Sequence, residues 1–467
     1  MTDTTWRMGF HLVPPAGWIN DPNGLCQFRG LYHAFYQYSP DWPHGGERCW
    51  GHATSCDLVS WEHHGIAIHQ DIPEDANGAY SGSAFIERNA AADGGDRMRV
   101  YYTGNVKVPG DFDYVNEGRE ANEITVESDD GMLFSPKRVL LRNADYPALC
   151  SCHVRDPKVW EERGERHMLL GARDRDSRGL ALVYDSDDGL GWRLRRAVRS
   201  GDTFGFMWEC PDRIELAGGG ATRTFLGFCP QGMPAKDPDG RGTSWSGYLP
   251  LEGSLLDAET VDTAPWREWD AGFDFYAPQS FVDDAGRTIL IAWVGMPEDD
   301  FHGQPEGLDW IHCLSVPREL TLDERDPSRI LQWPVSEVDG LRRDVCEAEG
   351  GEMRVSGHRA DIVVEKIAGD FALTLDGALS IRGSDEGITL AIDEATGLGR
   401  RERTVPGETL ESLRVLVDGS VVEVFANGGR VTFTTRWFPT EDDLTVRLEG
   451  AHGPARAWAM AAANPCD

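Results

Sequence analysis

Short apolar runs broken by Gly, Asp, Asn and Pro fill the first three hundred or so residues, and hardly any window carries apolar residues at helical spacing. That rhythm predicts an all-β chain. The clearest strands are 31–38, 99–103, 167–172, 180–184, 224–228 and 289–294, each rich in β-branched or aromatic residues. A recurring phrase, Ser-x-Asp-x-x-x-aromatic, appears at Ser55/Asp57/Trp61, Ser128/Asp130/Phe134 and Ser186/Asp188/Trp192, at intervals of roughly 60–70 residues. Units of that size suit one four-stranded sheet each, with the Ser/Asp turn joining two strands and the aromatic residue opening the next. A β-propeller is the economical arrangement, with room for five units. The same phrase also serves as a common hairpin turn, so by itself it leaves other β architectures open.

After the charged, Pro-containing stretch 320–344 the pattern becomes plain alternation. Residues 413–428 read as two strands around Asp418-Gly419, followed by an Asn427-Gly428 turn and a further strand at 430–438. This predicts a C-terminal β-sandwich of about 120 residues. The expected division is a propeller catalytic domain at 1–341 and a sandwich at 342–467. No convergent titratable set stands out in the second domain, so its expected role is packing or auxiliary sugar contact.

Charge narrows the partners. Lys+Arg 45 against Asp+Glu 78 leaves a net charge of −33, which repels nucleic acid and anionic membranes. Neither the first ten residues nor any later stretch reads as a signal or a membrane span. Ten dispersed cysteines without paired metal spacing read as reduced thiols, hence a cytoplasmic protein. No metal and no organic cofactor are expected. Sixteen Trp suit either aromatic cores or sugar-facing platforms.

Three acids stand beside prolines. Asp21 precedes Pro22-Asn23-Gly24, read as a stiff turn; Asp156 lies between Arg155 and Pro157; Glu209 follows Trp208 and precedes Cys210-Pro211. Singly, each has an ordinary reading as a turn residue, an Arg-paired aspartate or a surface glutamate. As a set they fit glycoside hydrolysis, which needs one carboxylate at the anomeric carbon and a second acid for the leaving oxygen. Apolar neighbours around Glu209 suit a group that must hold its proton.

The stretches 18–24, 35–38, Trp50-Gly51-His52-Ala53, Tyr80-Ser81-Gly82-Ser83, Arg155-Asp156-Pro157 and Glu209-Cys210-Pro211, in this order, resemble the motifs of glycoside hydrolase family 32, the β-fructofuranosidases. Residues 272–279, 291–297 and 314–320 are similar to its bacterial sucrose-6-phosphate hydrolase and intracellular invertase group. The resemblance implies a five-bladed propeller with an axial active site, Asp21 as nucleophile, Glu209 as acid/base and Asp156 as transition-state stabiliser. It further implies Asn20, Gln37, Trp50, Tyr80, Ser81, Arg155, Tyr276 and Trp293 as substrate-binding residues. One departure is Gly45, where many relatives carry Trp, with Trp42 and His44 nearby. The expected activity is retaining hydrolysis of sucrose or short fructo-oligosaccharides, with sucrose 6-phosphate and the oligomeric state left open. Fructosyl transfer and non-catalytic sugar binding are the alternatives. Arg48, Lys107, Arg173, Arg175 and Lys236 are the basic candidates for a phosphate on the leaving group; less than a tenfold preference either way for the phosphorylated sugar is expected.

Overall fold

The computed structural model describes residues 6–44, 46–238, 240–298, 302–348 and 351–463. Gly45 lies outside the described residues. Five sheets, antiparallel except for one short added strand in the first and third, succeed one another along residues 17–334, the propeller expected from the repeat. Their innermost strands are Gly17–Phe28, Ala79–Glu87, Cys150–Glu162, Met207–Gly218 and Tyr276–Val282. The ring closes between the fifth and first blades, where Trp310–Ile311 pairs parallel with Gly17 and Trp18. All six clearest strands of the sequence pattern lie within observed strands.

The repeated phrase is a structural unit. Ser55, Ser128 and Ser186 end the third strands of blades one to three, and each hydroxyl donates to the aspartate two residues on. That carboxylate then accepts from the next backbone N–H groups: Val59 and Ser60, Met132 and Leu133, Leu190 and Gly191. An aspartate that satisfies two backbone donors fixes the turn into the outermost strand.

Each innermost strand also carries a register shift against its neighbour, at Asn20-Asp21, Tyr80-Ser81, Asp156-Pro157, Cys210-Pro211 and Ala277-Pro278. The expected turn at Asp21-Pro22-Asn23-Gly24 is corrected here. The chain does not reverse but runs on as a strand with two irregularities. Proline has no N–H for the ladder and is tolerated in a strand at such a bulge, so residues that read locally as a turn serve as a kink. Asp156, Cys210 and Ala277, each before a proline, take positive φ of 65, 46 and 49°. The kink re-aims side chains into the axis.

Two six-stranded sheets form the C-terminal sandwich between Arg342 and Met460. Its interior is aliphatic, including Leu373, Ile381, Leu390, Val415, Val417, Val422 and Val424. The expectation that this domain holds no convergent titratable set is overturned. Asp418 accepts from the backbone N–H groups of Gly9, Phe10 and His11, and with Glu423 it flanks the His11 ring. Glu423 also binds Arg318, which reaches Asp270. These groups are fully buried between the domains, so they pack the interface and cannot meet substrate. No described helix is long and apolar enough to cross a membrane.

Candidate active site

The five kinks surround a cavity of about 740 Å³ whose lining includes Asp21, Asp156 and Glu209. Cys210 ties the three acids together. Its thiol lies 3.6 Å from Asp21 Oδ2, its backbone N–H donates to Asp156 Oδ2 at 2.8 Å, and Glu209 precedes it in the chain. The positive φ at Cys210 allows one residue to serve two blades.

Asp21 Oδ2 accepts from the Ser81 hydroxyl at 2.5 Å, and Oδ1 accepts from the Asn20 amide at 3.1 Å. Burial raises its pKa above the ordinary carboxylate value; the Ser81 bond opposes this, while the charge of Glu209 adds to it. The two donors hold the carboxylate in place and favour its charged form. Asp156 is pushed up to about 7, first by burial, against the pull of Arg155 and with the charge of Glu209. Glu209 is held at both oxygens, Oε1 by Arg155 Nη2 at 2.5 Å and Oε2 by the Tyr276 hydroxyl at 2.8 Å. Burial carries the Tyr276 phenol well above its ordinary pKa, so it remains a donor.

Of the expected substrate-binding residues, Asn20, Gln37, Tyr80, Ser81, Arg155, Tyr276 and Trp293 line the cavity. Trp50 does not, and is a correction. Its ring is fully buried between Phe35 and Tyr102, and its Nε1–H donates to the Tyr80 carbonyl at 3.0 Å. It supports the wall from behind. A tryptophan in a motif carries no local sign of which way its strand faces, and only the sheet decides that.

Among the basic candidates Arg48 lines the cavity, whereas Lys107, Arg173, Arg175 and Lys236 do not. Lys236 pairs with Glu268, Arg175 donates to the Ala148 carbonyl, and Arg173 lies over the Phe206 ring. The wall also includes Trp18, Trp42, Arg119, His153 and His302, none assigned a role from sequence. Trp18 packs on Trp42, Trp293 and His302, making the aromatic side of the funnel. Among the described residues one cluster has metal-type geometry, Glu165, His167 and Asp185. It lies away from the cavity, with His167 on Asp185 and Asp185 on Arg195.

Comparison with known proteins matches "Glycosyl hydrolases family 32 N-terminal domain" over residues 11–334 and "Glycosyl hydrolases family 32 C terminal" over 378–459. The chain is 35% identical to sucrose-6-phosphate hydrolase of Bacillus subtilis over 93% of this chain and 89% of that protein. It is 34% identical to raffinose invertase of Escherichia coli over 97% of this chain and 93% of the relative. The solved sucrose-6-phosphate hydrolase of Lactobacillus gasseri superposes with a TM-score of 0.84 at 26% identity, covering 98% of this chain and 94% of that one.

Proposed function

The chain belongs to glycosyl hydrolase family 32, and from that premise we propose that it is a retaining β-fructofuranosidase. It hydrolyses terminal non-reducing β-D-fructofuranosyl units of sucrose and short fructo-oligosaccharides, and accepts sucrose 6-phosphate alongside them. The observation that carries this reading is the meeting of Asp21, Asp156 and Glu209 around Cys210 in one cavity.

In the first step the Asp21 carboxylate attacks the anomeric carbon of the fructosyl unit as the glycosidic C–O bond breaks, and Glu209 gives its proton to the departing oxygen. In the second, Glu209 takes a proton from water, the water oxygen attacks the same carbon, and fructose leaves with Asp21 restored. Two inversions retain configuration. Ser81 and Asn20 suit Asp21 to the nucleophile's part, since both donate to the charged carboxylate. Asp156 is the proposed grip on fructosyl hydroxyls. Arg48 and Arg119 border the same space, supporting tolerance of a phosphate on the leaving group.

Part of the same proposal is a domain boundary at 341/342: the fifth sheet ends at Pro334 and the first sandwich strand begins at Arg342. So is a cytoplasmic location, which suits the free, mostly buried thiols. Separate assays of glucose and fructose released from sucrose test the reading. Equal release is expected. Excess glucose would mean transfer to a sugar acceptor, and no release would mean binding alone.

A further inference from the structure

We propose that His153 is a positioning residue that holds Arg155 in the orientation presenting Glu209 to the departing oxygen, an inference that rests on the acid/base reading of Glu209. His153 and Arg155 stand two residues apart on the strand Cys150–Glu162, so their side chains share a face. Arg155 Nη1 lies 3.2 Å from His153 Nδ1, and His153 Nε2 lies 3.0 Å from the Tyr114 carbonyl oxygen. A guanidinium can only donate and a carbonyl can only accept, so one protonation state satisfies both contacts: a neutral ring with its hydrogen on Nε2. The surroundings keep it there. Burial, then the positive charges of Arg155 and Arg119, hold the imidazole down at about 3.

The guanidinium is a rigid plane hydrogen-bonded at both terminal nitrogens, with its Nε facing a carboxylate at ion-pair distance. Nη1 meets His153, Nη2 donates to Glu209 Oε1 at 2.5 Å, and Nε lies 3.9 Å from Asp156 Oδ2. Fixing Nη1 fixes the plane, and with it Nη2. Without His153, only the two carboxylates would orient Arg155, and rotation toward Asp156 would leave Glu209 held by Tyr276 alone. The anchor is itself firm. Tyr114 sits on the connector 108–118 of blade two, its hydroxyl donating to the carbonyls of Val108 and Gly110. Asp113 beside it accepts from the N–H groups of Val115 and Asn116, and the Val115 carbonyl accepts from Cys152 N–H. A loop of blade two thereby sets the carboxyl of blade four through one imidazole of blade three.

The test compares sucrose with β-fructosyl fluoride, whose leaving group needs no proton, in wild type, His153→Ala and His153→Gln, with thermal melting as the folding check. His153→Ala is expected to lower kcat for sucrose roughly 10–100-fold with KM within about threefold, while first-turnover fluoride release stays within about threefold. His153→Gln, which can accept from Arg155 and donate to the Tyr114 carbonyl, is expected to restore most of the sucrose rate. Equal losses on both substrates, or no loss on sucrose, would overturn the inference. Should His153→Ala fail to fold, His153→Asn serves: it is too short to span both partners, and a sucrose-selective loss absent from His153→Gln is expected. Glu209→Gln, run alongside, separates the two levels. If it loses first-turnover fluoride release as fully as sucrose hydrolysis, the acid/base assignment fails, and this inference with it.

Discussion

At the scale of single residues, two aspartates in one cavity differ in what their charge does. Asp21→Asn keeps the shape and both donors nearby but cannot attack carbon, so kcat is expected to fall by several powers of ten with melting almost unchanged. Retention of more than about a tenth of wild-type kcat would rule out the nucleophile assignment. Asp156 allows a stability test because its pKa rises from 3.8 to about 7 in the fold. Its charged form is therefore disfavoured by folding. The cost is absent below about pH 4, where the group is protonated folded or unfolded. It grows as pH rises from 4 to 7 and is complete above 7, on the order of a few kcal/mol. Asp156→Asn is expected to match wild type in melting temperature near pH 4 and exceed it at pH 8, while losing at least about tenfold in kcat/KM because an amide accepts hydroxyls more weakly. A variant less stable at pH 8 would show that the charge is better compensated than its burial implies. The three acids were legible from their prolines. His153 and Arg119 were not, because nothing local distinguishes a wall residue from a surface one.

At the scale of strands, the site depends on close approach between blades. Gly171 pairs with Arg155 in blade three, and a Cβ there would sit 1.9 Å from the Trp208 carbonyl oxygen of blade four. That contact leaves no room for any side chain and stands one residue from Glu209. Gly171→Ala is expected to lower the melting temperature, at a cost of about 1–3 kcal/mol or more, and to reduce kcat more than tenfold by displacing Glu209. Gly201→Ala, with open space around it, is the control and should lie within about 0.5 kcal/mol of wild type. If both variants behaved alike, the blade contact would not be what holds the acid in place. The strands and Ser/Asp turns could be read in advance because they rest on local hydrogen bonds. The bulges could not, since Asp-Pro-Asn-Gly has the same local preferences in a turn and in a kinked strand.

At the scale of the whole molecule, propeller and sandwich are joined by buried charge. Burial alone would pull the His11 pKa down, but its bonds to Asp418 and Glu423 overcome this and raise it from 6.5 to about 9. A histidine held charged by the fold contributes stability that is complete below about pH 6.5 and is lost as pH rises through 9. His11→Gln is therefore expected to be less stable than wild type at pH 6, by an amount on the order of a few kcal/mol, with the gap narrowing as pH rises from about 6.5 and largely closed above pH 9. A gap independent of pH would mean that packing, not charge, is what His11 supplies. Substrate choice also belongs to this scale. A net charge of −33 opposes a phosphate from afar, whereas Arg48 and Arg119 line the cavity itself and oppose that field locally. The ratio of kcat/KM for sucrose 6-phosphate over sucrose is expected to stay below about tenfold; a hundredfold ratio, about 2.7 kcal/mol, would require a dedicated clamp.

The amino-acid order by itself determined the all-β character, a Ser/Asp turn repeated three times, the change of pattern before the second domain and the three acids as candidates. Each of these is written in neighbouring residues: alternation, a Ser/Asp turn, a carboxylate beside a proline. Only the tertiary structure decided that Trp50 faces the core, that Asp418 and Glu423 meet His11 across domains, and that Cys210 links acids from three blades. Those are contacts between residues tens to hundreds of positions apart, set by sheet register and blade closure, and no local preference encodes which way a side chain points once the ring has formed.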